Sequence, residues 1–144
     1  MITREQLIAA AMQARHRAHA PYSKFHVGAA LATEAGTIIT GCNVESASYG
    51  LTLCAERVAL SKAVSEGQRP CGRIAVVADT PTPTPPCGAC RQLIWELAGN
   101  VEVILANLEG QTVIFTMQEL LPHAFAAEFL TMSHNPDASP GRRS

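Results

Sequence analysis

The chain has 144 residues, 47% of them hydrophobic, and no apolar run near the roughly 18–20 residues of a membrane span. That length suits one domain able to bury roughly 68–70% of its unfolded surface, so a core can form without a metal to staple it. A formal net charge of −1, with Arg142-Arg143 as the basic cluster, argues against nucleic acid or a membrane surface as a partner.

The residues from Met1 to Gln6 have neither the basic start nor the apolar stretch of a signal peptide. Five cysteines, an odd number, argue against a disulfide framework. A reducing cytoplasm with free thiols is the expected setting.

In chain order, Thr3 with Gln6 forms a capping box that opens a helix, and Leu7, Ile8, Ala11, Ala14 and Ala18 give it one buried face. Arg15, His16, Arg17 and His19 crowd the helix end, where positive charge is favourable, and Pro21 stops the helix. Val27, Ala29 and Leu31 alternate, Glu34-Ala35-Gly36 turns the chain, and residues 37–40 return, which predicts a β-hairpin with one face packed. A polar loop follows, then a second helix with Thr52 as its expected N-cap and Gly67 as its stop. Ile74 to Ala78 is a continuous apolar run, the pattern of a strand covered on both faces. The threonine- and proline-rich stretch from Asp79 to Pro86 must be an extended, stiff loop. It leads into a third helix ending at Gly99-Asn100, a strand over 101–105, a weaker one over 112–115, and a short helix opened by the Thr116/Glu119 capping box. The order α-β-β-α-β-α-β-β-α predicts a single α/β layered domain, with parallel pairing across the third helix. The domain spans residues 1–132, and 133–144 reads as a disordered tail.

Two stretches carry chemistry: Thr52-Leu53-Cys54-Ala55-Glu56-Arg57 and Pro86-Cys87-Gly88-Ala89-Cys90-Arg91. Catalytic zinc uses three protein ligands and keeps a position for water, and Cys54, Cys87 and Cys90 supply three thiols in helix-start contexts. Cys42 and Cys71 lack that spacing, although either offers a fourth thiol. Three thiolates and Zn²⁺ sum to −1, which opposes acidification of water. Helix N-termini at Cys54 and Cys87 offset that charge, and Arg57 and Arg91 are close enough in sequence to donate to thiolate. Glu56, two residues after a ligand, can border the metal's open position without coordinating it and move protons there. A bare Glu on a helix is equally often a solvated one, so the spacing alone leaves that role open.

Cys-Ala-Glu followed by Pro-Cys-x-x-Cys is the all-cysteine form of the zinc-deaminase signature. The chain resembles the small, homotetrameric cytidine deaminases, over Ala20–Phe25, Val27–Leu31, Gly41–Gly50, both cysteine stretches, Ala106–Leu108 and Glu119–Pro122. The resemblance implies a three-layer α/β/α domain with a central mixed five-stranded sheet, and one Zn²⁺ per subunit. It implies hydrolysis of cytidine and deoxycytidine to the uridine nucleosides and ammonia, with Glu56 passing protons to N3 and the leaving amine. By position it assigns Asn43 and Glu45 to ribose hydroxyls, with Phe25 and Ala55 beside the nucleoside. It also implies that Ala47, Tyr49 and Phe125 reach a neighbouring subunit's site, so that active sites are shared. Rival readings are a deaminase of blasticidin-type nucleosides, one acting on bases within RNA or DNA, and a zinc-stabilised binding module. The first two are separated by substrate comparison and the third by the need for Glu56.

Overall fold

A computed structural model describes residues 1–131. The expected tail, 133–144, lies outside the described residues. The elements are α1 (Arg4–Arg15), β1 (Val27–Thr33), β2 (Ile38–Cys42), a 3-10 turn (Tyr49–Leu51), α2 (Ala55–Ser65), β3 (Pro70–Ala78), α3 (Gly88–Ala98), β4 (Glu102–Ala106), β5 (Thr112–Thr116), α4 (Met117–Leu120) and α5 (Glu128–Thr131).

The five strands form one mixed sheet in the order β2-β1-β3-β4-β5. β1 is antiparallel to both β2 and β3, and β4 to β5. β3 and β4 are parallel, as the crossover through α3 requires. Alternate residues of the central strands feed two cores. Leu31, Ile74, Val76, Val103 and Leu105 meet α2 and α3 on one face. Ala30, Ala75, Val77, Ile104 and Ala106 meet Leu7 and Ala11 of α1 on the other. Helices on both faces make the three-layer α/β/α arrangement.

Burial corrects one expectation. The hairpin was expected to pack one face, and β2 does alternate, but β1 is buried along most of its length on both faces. The reason is sheet order: β1 lies inside, between β2 and β3, with helices above and below.

Two glycines let the helices approach. A Cβ on Gly28 would lie 1.8 Å from the Ala11 carbonyl oxygen of α1, and one on Gly41 would lie 2.5 Å from the Ala59 nitrogen of α2. Both expected capping boxes are present, Thr3 with Gln6 and Thr116 with Glu119.

The start of α2 differs from expectation. Its N-cap is Cys54 and not Thr52. The 3-10 turn ends on Thr52, and Leu53 then exchanges two backbone hydrogen bonds with Val44, each 2.9 Å. That short ladder keeps the chain extended until Cys54. Thr52 Oγ1 instead accepts the Ser46 N–H at 3.1 Å.

Candidate active site

Cys54 and Cys87 are the N-caps of α2 and α3, and Cys90 lies in the first turn of α3. Both helices start at the same end of the same sheet face. At that end β1 begins and β3 finishes, with Val27 and Ala78 as register partners. The parallel crossover thus delivers the start of α3 to the carboxyl end of β3, where α/β sheets commonly hold their ligands.

The three sulfurs converge. Cys54 Sγ is 4.0 Å from Cys87 Sγ, and Cys87 Sγ is 3.4 Å from Cys90 Sγ. All three ligand atoms lie within 4.8 Å of one another. Zinc–sulfur bonds of about 2.3 Å at tetrahedral angles put sulfurs about 3.8 Å apart, so the trio fits one zinc ion. The spacing is also far beyond a disulfide's, and these thiols are free. Cys42, half-buried at the end of β2, and Cys71, exposed in β3, are not in the cluster.

Charge follows the geometry. The hydrogen bond from Cys90 draws the Cys54 thiol down to about 5 against the cost of burial, and Arg57 and Cys87 add to the effect. The same contact with Cys54, together with burial, pushes Cys90 up. A thiol cluster in which one sulfur is drawn toward its thiolate form is a ready seat for a cation. Arg57 donates to the Thr52 carbonyl at 2.8 Å and reaches Cys54 Sγ at 3.9 Å. Its Nε is buried without a partner, so this guanidinium retains donor capacity beside the thiols. Arg91 departs from expectation. It donates from Nε to the Pro86 carbonyl at 2.8 Å and from a terminal nitrogen to the Leu120 carbonyl at 3.0 Å, backbone partners in place of a thiolate.

Glu56 is 4% exposed in the first turn of α2. Burial pushes its carboxyl above the ordinary value, and the Cys54 charge adds to that. A solvated helix glutamate would not be buried so. It lines a cleft of about 260 Å³ with Cys54, Ala55, Cys87, Phe25, Asn43 and Glu45. A larger groove of about 670 Å³ runs between the proline-rich loop and β5, but no thiol or carboxylate lines it. Chemistry selects the smaller cleft.

Among the expected substrate residues, Asn43 is 8% exposed, and its amide bridges the edge of β1. Its nitrogen donates to the Phe25 carbonyl at 2.7 Å and its oxygen accepts the Val27 N–H at 2.9 Å. Glu45 lines both the cleft and a neighbouring shallow depression, which Tyr49 shares. Tyr49 does not line the thiol cleft, and Ala47 is exposed and lines neither. Phe125 is half-exposed away from its own cleft and stacks on Phe129 with ring centroids 6.0 Å apart.

The structure adds Thr84 and Pro85 to the cleft wall. Read as sequence, they belong to a featureless stiff loop. The signal that points to them is proximity, since the loop ends on Cys87 and its last residues must lie near the thiols. Asn107 anchors the other end of that loop, donating to the Thr80 and Pro81 carbonyls at 3.1 and 3.2 Å.

The family model of the cytidine and deoxycytidylate deaminase zinc-binding region matches residues 1–107. A cytidine deaminase of Halalkalibacterium halodurans is 57% identical over 126 residues, covering 87% of this chain and 96% of the relative. One of Sporosarcina psychrophila is 53% identical over 128 residues, covering 88% and 94%. The crystal structure of cytidine deaminase from Burkholderia pseudomallei superimposes with a TM-score of 0.82 at 50% identity, covering 85% of this chain and 99% of that one. The chain belongs to the cytidine and deoxycytidylate deaminase family, in its small cytidine deaminase branch.

Proposed function

We infer that this chain is a zinc-dependent cytidine deaminase, hydrolysing cytidine and deoxycytidine to uridine and deoxyuridine with release of ammonia, a step of pyrimidine salvage. The observation that carries the reading is a cluster of three thiols from two helix starts, two of which line a cleft together with a buried carboxylate. The strong similarity to named cytidine deaminases supports it.

Cys54, Cys87 and Cys90 hold one zinc ion per subunit. Bound zinc acidifies water and so supplies a nucleophile near neutral pH. Glu56 takes a proton from the attacking water and gives one to ring N3. Later it carries a proton to the amine leaving C4, so that water and cytidine are consumed and uridine and ammonia formed. Burial raises its proton affinity, which suits a group that must both accept and return a proton. Arg57 offsets the excess thiolate charge through Cys54. Glu45 and Asn43 receive ribose hydroxyls, with Phe25 and Ala55 against the nucleoside.

The active enzyme is a homotetramer with shared sites, to which Ala47, Tyr49 and Phe125 contribute across subunit boundaries. Support comes from the exposure of Tyr49 and Phe125 and their position outside their own chain's thiol cleft. Residues 1–132 form the catalytic domain, and the enzyme works in the cytoplasm on free nucleosides, with no nucleic acid or membrane partner.

Loss of ultraviolet absorbance on cytidine, with and without a zinc chelator, tests the function. Turnover of cytidine and deoxycytidine that stops on chelation is expected. Preference for blasticidin S, or deamination of an oligonucleotide at comparable rates, overturns the substrate assignment.

A further inference from the structure

The loop before Cys87 contains Pro81, Pro83, Pro85 and Pro86, none of which has an N–H to donate. Within the loop Thr80 Oγ1 donates to the Thr82 carbonyl, while the carbonyls at its two ends take donors from outside it. Asn107 serves the start of the loop, at Thr80 and Pro81. Arg91 serves its end, at Pro86, and simultaneously reaches Leu120 at the C-terminus of α4.

The Pro86 carbonyl belongs to the same planar peptide as the Cys87 N–H. Holding that oxygen fixes the peptide plane, and with it the direction in which Cys87 leaves the loop and enters α3. Cys87 has no side-chain cap bond of its own, so its cap geometry depends on the backbone. Arg91 is one helical turn further on, and its N–H donates to the Cys87 carbonyl at 2.9 Å. The peptides on both sides of Cys87 are thus bonded to one residue. The second arm, on α4, ties that residue to another element and keeps it from swinging with the loop.

We propose that Arg91 is a positioning residue for Cys87, locking its sulfur into the three-thiol cluster through the Pro86 peptide and thereby setting how slowly the metal is released. The proposal rests on the reading that Cys54, Cys87 and Cys90 hold zinc. It assigns Arg91 a mechanical role, distinct from the charge-offsetting role of Arg57.

The test is zinc release from the full-length, zinc-loaded protein to a chromogenic chelator in stopped-flow mixing, with zinc content measured beforehand. Arg91→Ala is expected to release zinc about 10- to 100-fold faster, the usual scale for removing a group that orients a ligand. Arg91→Lys keeps the charge but cannot span two carbonyls, so its rate should fall between. Arg4→Ala, which removes a donor to Glu102 from α1 on the opposite sheet face, should release zinc at the parent rate.

Parent-like release from both Arg91 variants overturns the proposal. Equal acceleration in Arg4→Ala also overturns it, since the effect would then be general destabilisation. Where Arg91→Ala does not fold, Arg91→Lys decides: faster release supports the clamp and a parent rate refutes it. Cys87→Ala separates this proposal from the reading beneath it. Retention of zinc by that variant at the parent rate defeats both, whereas its loss alongside a parent-like Arg91→Ala defeats the clamp alone.

Discussion

The Ser23 hydroxyl donates to one carboxylate oxygen of Glu45, while the Tyr22 and Ser23 N–H groups donate to the other at 3.0 and 3.2 Å. Ser23 Oγ also accepts the Phe25 N–H at 3.0 Å. One serine therefore ties together two residues of the cleft, Glu45 and Phe25, and Lys24, between Ser23 and Phe25 in the chain, takes φ +60°, a left-handed conformation uncommon for a side-chain-bearing residue.

Removing that tie should weaken nucleoside binding more than chemistry. Ser23→Ala is expected to raise KM for cytidine roughly three- to tenfold, the scale of one lost hydrogen bond, with kcat little changed. The Ser23 hydrogen bond holds the Glu45 carboxyl below its ordinary value, so the carboxylate persists into more acid solution. Binding that needs the ionised form is lost as pH falls through the folded value. Without Ser23 that value rises, so the acid limb of kcat/KM should move to higher pH in the variant. A limb that stays in place would show that Glu45 does not receive the nucleoside.

Glu56→Gln conserves shape and removes the carboxylate proposed to carry protons. Zinc content and thermal midpoint should stay near the parent's, and kcat should fall by about 10²–10⁴-fold or more. Deamination at the parent rate would eliminate the role given to this carboxylate.

Arg57 reaches Cys54 Sγ while its buried Nε has no partner. Arg57→Gln removes the positive charge beside the thiols and should cost about 10–100-fold in zinc affinity or activity. Competitive zinc titration against a chelator measures the first, and cytidine turnover at saturating zinc the second. Parent-like values in both would mean that the helix N-termini alone offset the thiolate charge.

Glu102 accepts from Arg4 Nε at 2.7 Å and lies 3.2 Å from Arg73 Nε. The Arg4 hydrogen bond, with Arg73 adding to it, holds the Glu102 carboxyl below its ordinary value. A carboxyl depressed on folding contributes stability above its unfolded value and loses it as pH falls through the folded one. Glu102→Gln should therefore melt below the parent at neutral pH, with the gap closing in acid. Thermal midpoints across a pH series check this, and a gap independent of pH would contradict it.

The two close-packed glycines should separate stability from catalysis. Gly28→Ala and Gly41→Ala each force a Cβ into backbone at 1.8 and 2.5 Å, and each should cost about 1–3 kcal/mol or more. Gly28 abuts α1, on the face away from the thiols, whereas Gly41 abuts α2, which carries Glu56 just after Cys54. Among folded molecules, Gly41→Ala should lose the larger share of kcat. Denaturant unfolding together with activity per folded enzyme would reveal the opposite order if it held.

Much of this molecule was legible from local pattern. The Thr3/Gln6 and Thr116/Glu119 boxes, the buried run Ile74–Ala78 and the stop at Gly99 depend on dihedral preference and burial period within a few residues. The Cys87-x-x-Cys90 spacing is equally local, because residues three apart share a helix face. Beyond local pattern, the resemblance supplied the expected substrate and the specific proton transfers proposed for Glu56.

Other features depended on partners distant in sequence. Thr52 has every property of an N-cap, yet the Val44–Leu53 ladder holds the chain extended past it and hands that position to Cys54. Arg91 beside Cys90 looks like a thiolate donor, but the proline-rich loop presents a carbonyl that needs it more.

By itself the sequence determined most of the elements, though not the 3-10 turn or α5, and the three thiols and the carboxylate, since residue type and short spacing are enough for most caps, strands and metal-ligand chemistry. Only the tertiary structure decided that Cys54 meets Cys87 across 33 residues, that Glu56 is buried beside them, and that Ser23 holds Glu45. The physical reason is sheet order. Placing β1 beside β3 and packing α2 and α3 on one face brings their N-termini together, and no local pattern encodes that meeting.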